Sequence, residues 1–224
     1  FVDGQFLTKK KNLDIKELKS IFVNISNEID IQKIEFSSKN NFSFNINKKF
    51  KLNNLKVEST VDLKQLIINE KNLKLNSYFP NVIDEIKLED HKININYDKN
   101  KFNIKGKGNI LLEDKLDNLS YQIIKDKKNL RFNSTVNLNN NSLVISFLDY
   151  EKKENLNSLV LIKGNFKKNN QLSLDLINLK EKNNEILIEG LELSQNFKII
   201  DIKNFDINYR NNKKILNKIN LKKD

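Results

Sequence analysis

The feature that most constrains this chain is a period-two alternation of apolar and polar residues through nearly all of its 224 positions. Successive side chains of a strand point to opposite faces, so the alternation describes strands with one apolar and one polar face. Ile34 and Phe36 flank Glu35, Phe42, Phe44 and Ile46 flank Ser43 and Asn45, and Leu55, Val57, Val61 and Leu63 share one parity. The pattern continues through Ile93, Ile95 and Tyr97, Phe102 and Ile104, Leu119, Tyr121 and Ile123, and Phe132 and Val136, then through Leu159–Leu161, Leu172–Leu176, Ile186–Ile188 and Phe205–Tyr209. Short polar segments separate the runs, among them Asp98–Lys101, Asp126–Asn129, Asn139–Asn141, Lys167–Asn170 and Glu181–Asn184. Asn and Asp tolerate left-handed backbone and make local hydrogen bonds, so such segments read as hairpin turns. The expected fold is all-β: a long, twisted antiparallel meander of roughly a dozen strands that forms a curved groove.

Helical spacing stands out once, over 14–24. There Asp14 and Glu17 form a capping-box pair, and Ile15, Leu18, Phe22 and Ile25 fall on one side. Pro80 can open a further short turn, with Val82, Ile83 and Ile86 as its apolar side, or sit in an ordinary loop. Two segments are expected: 1–76, β-rich with the short helix, and 77–224, an antiparallel sheet continuous with the first. With so little helix to cover it, the apolar face must fold into a sandwich, close into a barrel or remain an open trough. A membrane barrel would carry girdles of Tyr and Trp, and this chain has five Tyr and no Trp. Its longest apolar runs, such as Leu143–Leu148, are far too short for a membrane helix.

Within one strand, Phe102, Ile104, Gly106, Gly108 and Ile110 keep a single parity, so two glycines lie on the apolar face. Interior glycines mark a bend, a bulge or a close approach by another group, and sheet curvature is the expected reason here.

The chemistry of catalysis is scarce. There is no Cys, which leaves out thiol nucleophiles and Cys-ligated zinc, and the single His, His91, argues against a multi-His metal site or a Ser–His–Asp triad. Asp84-Glu85 and Glu89-Asp90 lie near His91, but neighbours on a strand point apart, and the stretch between Ile83 and Ile93 reads as a polar turn. No enzymatic activity, no cofactor and no metal site is expected. The formal charge is +11, carried almost entirely by Lys, with Arg131 and Arg210 the only arginines. With no Ala, one Pro and abundant Asn, Lys and Ile, this is the usage of an AT-rich genome, and no nucleic-acid partner is expected from it.

From Tyr78 onward the chain resembles the AsmA-like family of Gram-negative bacteria, which includes the TamB and YhdP bridge-like lipid transfer proteins. The resembling stretches are Tyr78-Phe79-Pro80-Asn81, Phe102 to Gly108 followed by Leu119-Ser120-Tyr121, Phe147-Leu148-Asp149-Tyr150, and Leu161 to Phe166. The resemblance implies a periplasmic β-groove that holds phospholipid acyl chains and supports their transport between inner and outer membranes. It also implies an inner-membrane anchor, expected upstream of Phe1, and contact with the inner and outer membranes through segments outside this sequence. Candidate lining residues are Phe42, Phe44, Ile46, Ile93, Ile95, Tyr97, Phe102, Ile104, Leu119, Tyr121, Ile123, Phe132 and Val136, with Gly106 and Gly108 at a bend. The competing reading is a structural or adhesive β-sandwich module of a secreted or surface protein.

Overall fold

The structure is a computed structural model that describes residues 1–13, 30–69, 75–82, 85–126, 129–166, 171–194 and 198–223. The segment expected to be helical over 14–24 lies outside the described residues, as do Ile83 and Asp84. Fifteen strands are described. The first seven are β1 (Val2–Leu13), β2 (Ile31–Ile46), β3 (Leu52–Asn69), β4 (Glu85–Asp98), β5 (Lys101–Leu111), β6 (Leu116–Lys125) and β7 (Leu130–Asn137). Then come β8 (Leu143–Ile145), β9 (Tyr150–Lys152), β10 (Ser158–Phe166), β11 (Leu172–Glu181) and β12 (Asn184–Leu193). The chain ends with β13 (Ile199–Asp201), β14 (Asn204–Arg210) and β15 (Leu216–Lys222). The helical content among the described residues is two three-residue 3-10 turns, Leu75–Ser77 and Ser146–Leu148. No helix among the described residues is long and apolar enough to cross a membrane.

Thirteen strands form one antiparallel sheet in the order β1-β2-β3-β4-β5-β6-β7-β10-β11-β12-β14-β15, with β13 pairing β12 beside that path. The sheet is open, because β1 and β15 lie at opposite ends of the order and do not pair. Local turn chemistry favours this meander. Lys99 and Asn100 both take positive φ, 49° and 64°, between the paired residues Asp98 and Lys101, which is the geometry of a tight hairpin that matches strand twist. Among the described residues the other sheet is the two-stranded β8–β9 pair, so most of the large sheet is a single layer.

Three sequence expectations need correction. The polar stretch around Glu89, Asp90 and His91 is not a turn but the middle of β4. The apolar parity in β4 shifts from Ile86 and Leu88 to His91, Ile93 and Ile95, and in β3 from Leu63 to Leu66 and Ile68. One extra residue in each strand restores the facing: β3 carries Lys64 as a bulge against β2, and β4 carries a bulge at Asp90 (φ 52°) against β5. The two bulges are side by side, and Lys64 Nζ meets Asp90 Oδ1 at 2.6 Å. Second, Ile86, grouped with Pro80 by its spacing, belongs to β4.

Third, Asn139–Asn141 is not a hairpin turn. It opens a lobe, residues 138–157, that carries the β8–β9 pair before the chain returns as β10 to pair with β7. The lobe folds onto one end of the sheet, where Leu138, Leu143 and Tyr150 join Ile86, Leu112, Leu179, Ile186, Ile207 and Tyr209 in the buried core. Backbone bonds tie it to its neighbours on both sides, Val144 N donating to Tyr78 O at 2.8 Å and Asn212 N to Asp149 O at 3.1 Å.

Beneath the lobe lies a buried polar lattice. Asp117 Oδ1 accepts from the backbone N of Asn139 (2.8 Å) and Asn140 (2.9 Å), and its Oδ2 from Asn141 N and Asn141 Nδ2. Glu113 accepts from Asn81 N and from Ser142 N and Oγ. Lys152, fully buried, donates to the carbonyls of Asn139 and Asn141. Burial pushes the Lys152 amine down from its ordinary value, against the opposing pull of Asp117, Glu181 and Glu113. Tyr150 Oη donates to Glu181 at 2.7 Å, and burial, reinforced by that bond, pushes its phenol well up.

Candidate functional site: an apolar face without a covering layer

Residues that are direct partners across strands share a face, so the register shows what the alternation builds. One row runs Ile95–Ile104–Ile123–Phe132 across β4 to β7. Its neighbour runs Ile93–Gly106–Tyr121, and the row beyond that runs Leu119–Val136–Val160–Leu179–Ile186–Ile207 from β6 to β14. On the other side Phe42, Val57, Tyr97 and Phe102 are successive partners, and Phe42 stacks on Phe44 with ring centroids 6.0 Å apart. Gly108 partners Leu119 and so lies on this face as well. The candidate residues predicted from sequence therefore fall on one continuous apolar face. The exception in position is Ile46, which partners Leu52 beyond the body of the sheet and is 48% exposed.

The burial of these residues is half-complete. Ile93, Ile95, Tyr97, Ile104, Leu119, Tyr121, Ile123, Phe132 and Val136 are all intermediate, and Phe102 is 42% exposed. Lateral neighbours in the sheet shield their flanks, and no layer described here lies over them. Burial becomes complete toward the lobe, at Leu179, Ile186 and Ile207, and beside the β3 and β4 bulges, at Leu63 and His91. The polar face is built differently, from Asn, Gln and Thr ladders. Gln122 Nε2 donates to Asn103 Oδ1 at 2.8 Å and Asn118 Nδ2 to Asn109 Oδ1 at 2.9 Å, with exposed Lys92, Lys105 and Lys107 among them. This accounts for much of the Asn and Lys in the composition: they hydrate one face, while the other is mainly apolar, interrupted by Ser38, Asn40, Ser59 and Ser134.

The two glycines have a more specific reason than curvature. A Cβ on Gly106 would lie 2.2 Å from Tyr121 Cζ, and one on Gly108 would lie 2.3 Å from His91 Cδ2 and 2.7 Å from His91 Cα. Two further glycines repeat the device, with the rings of Phe42 and Phe132 over Gly4 and Gly164. Each aromatic ring fills the space its glycine leaves, so the apolar face keeps a continuous surface where a side chain is missing. A single strand read alone cannot show this, because the ring comes from the neighbouring strand.

His91 is the residue whose place the sequence did not reveal. It is 1% exposed, its Nε2–H donates to Asn109 O at 2.9 Å, and its Nδ1 is buried with no partner. The ring packs beside Tyr121 at 5.8 Å. Burial lowers its pKa below the ordinary 6.5, partly offset by the Asn109 carbonyl and the Asp90 charge. The folded chain thus holds His91 neutral where the unfolded chain takes up a proton, so stability contributed at neutral pH is lost as pH falls below the unfolded value. Between pH 7 and 5 the unfolding free energy should fall by up to about 1.4 kcal/mol per pH unit, read as a falling melting temperature. His91→Gln should flatten that limb, and an unchanged slope in the variant would show that His91 is not its source.

The acidic neighbours of His91 do not converge on it as a site. Asp90 pairs with Lys64, and Glu89 accepts from Gln65 Nε2. Among the described residues no group of three or more His, Asp or Glu side chains is arranged to hold a metal ion. The described strands present a broad, half-exposed apolar surface bordered by polar turns, and removing such a surface from water is favourable.

Compared with protein-family models, with curated proteins and with solved structures, the chain matches none.

Proposed function

We propose that this apolar face holds the acyl chains of phospholipids and that the chain is a non-catalytic segment of an AsmA-like protein, supporting lipid movement between inner and outer membranes from the periplasm. The supporting observation is the half-exposed row Ile95–Ile104–Ile123–Phe132, apolar across four strands and with no layer over it among the described residues. Exposed apolar surface costs about 25 cal/mol per Å² relative to burial. Acyl chains remove that cost with no directional bond, so Ile, Phe and Val suffice as a lining and no motif is required. The resemblance drawn from Tyr78 onward suggests the same role and supplies the envelope location.

The test places a photo-crosslinking amino acid at position 104 and, as control, at position 105 on the polar face, in the protein expressed in a Gram-negative host. Position 104 is expected to capture phospholipid and position 105 not to. Equal capture at both, or none at 104 in correctly folded protein, would overturn the reading.

A further inference from the structure

One hairpin stands out beyond the sheet. On the β4 side, pairing with β3 ends at Lys56–Asp98, where the chain turns back through Lys99 and Asn100. Leu52–Leu55 and the turn 47–51 therefore extend beyond β4. At about 3.3 Å per residue the overhang is roughly 13 Å. Its tip is tightly built: Asn47 Oδ1 accepts from Lys49 N at 2.9 Å and Lys51 N at 3.0 Å, and Phe50 N donates to Asn47 O at 2.9 Å.

This scaffold holds Phe50 at φ 53° and 91% exposed. Every other non-glycine residue at positive φ among those described is Asn, Asp or Lys. The same turn recurs at Asn211–Ile215, where Asn211 Oδ1 accepts from Lys213 N and Ile215 N and the left-handed position is taken by Lys214 (φ 62°). The turn therefore does not need phenylalanine. A bulky side chain is disfavoured in left-handed backbone, and a phenyl ring in water gains nothing by burial. A residue that is both strained and exposed, in a turn that has a cheaper solution elsewhere in the same chain, points to use outside the fold.

The surroundings identify the use. Lys48, Lys49 and Lys51 flank Phe50, residues 45–55 contain no acidic side chain, and Ile46 and Leu52, 48% and 52% exposed, form apolar shoulders behind the tip. We infer that this hairpin is a docking tip for an anionic lipid bilayer. Phe50 enters the boundary between headgroups and acyl chains, and the lysines meet the anionic headgroups. The aliphatic shoulders match a hydrocarbon boundary. A nucleic-acid groove would instead present stacked aromatic platforms and arginine. The inference is independent of whether lipid also occupies the sheet face.

The experiment is vesicle flotation of the full chain, with phosphatidylcholine vesicles carrying about 30% phosphatidylglycerol to supply the anionic surface. Pure phosphatidylcholine vesicles, high salt and single-stranded DNA serve as comparisons. Binding to the anionic vesicles is expected, with a loss of about tenfold or more in pure phosphatidylcholine or at high salt. Phe50→Asn should weaken vesicle binding about tenfold while raising the melting temperature by roughly 2 °C, because asparagine suits the turn better. Lys48→Glu combined with Lys49→Glu should weaken binding at least as much, and neither variant should change the lipid that co-purifies with the sheet face. Any of three results would overturn the proposal: no binding of the wild type to anionic vesicles, undiminished binding by Phe50→Asn, or tighter retention on DNA than on vesicles at the same salt. A lower melting temperature in Phe50→Asn would likewise overturn it, by making Phe50 a structural residue.

Discussion

Replacing Asp117 by alanine is expected to be among the most destabilising single changes in this chain, by about 3–4 kcal/mol. The carboxylate is 2% exposed and accepts four hydrogen bonds, from the backbone N of Asn139, Asn140 and Asn141 and from Asn141 Nδ2. Alanine leaves the backbone N of Asn140 and Asn141 without their acceptor, while Asn139 N keeps Asn137 O and Asn141 Nδ2 keeps Lys115 O, and it takes a compensating charge away from buried Lys152. In a chain of this size the loss corresponds to a fall in melting temperature of roughly 10 °C. The position of the damage is as informative as its size. Amide exchange should quicken first in residues 138–157 and at Asn212, which donates to Asp149 O in the lobe, while the centre of β4 to β7 stays protected. A variant as stable as the wild type would mean that the lobe is not held by this lattice.

The second large effect concerns occupancy rather than stability. Ile104→Asp places a carboxylate between Ile95 and Ile123 on the open part of the face. There the side chain reaches water, and the expected cost is about 1 kcal/mol, against several for an unpaired charge enclosed in a core. Lipid carried by the purified protein should fall at least about tenfold, since a charge in the groove must be desolvated by acyl chains. Leu179→Asp is the matched contrast. Leu179 is 4% exposed under the lobe, so the same chemistry there should cost several kcal/mol and threaten folding itself. Similar stability costs at positions 104 and 179 would argue that both are enclosed and that the face is not open.

Much of this architecture was legible in the residues. The strict alternation of Ile93, Ile95 and Tyr97 with Lys92, Asn94 and Asn96 identifies both the strand and its apolar side, and repeats of that rhythm identify a meander. Bulges hid part of it. The parity breaks after Leu63 and after Leu88 read as interruptions because one inserted residue, Lys64 or Asp90, flips every later side chain. Long strands consequently looked like short ones with a loop between them.

The lobe was hidden for a different reason. Asn139-Asn140-Asn141 has the composition of a hairpin turn, and nothing local shows that its backbone amides are taken up by Asp117, more than twenty residues earlier. Glu113, Asp117 and Lys152 likewise look like ordinary solvated charges until the lobe covers them. Gly106 and Gly108 were visible on the apolar face, but their meaning depends on register. A search for glycines opposite aromatic residues on adjacent strands would have paired Gly106 with Tyr121. His91 escaped because it lies at the bulge where the parity changes.

The central claim is that the uncovered face is a lipid-holding surface, and native mass spectrometry of protein purified without detergent from a Gram-negative host tests it most directly. The account predicts bound species with the masses of phospholipids, displaced in Ile104→Asp and retained in Phe50→Asn. A lipid-free, monodisperse monomer that is soluble and stable with Ile104 and Phe132 open to water would contradict it.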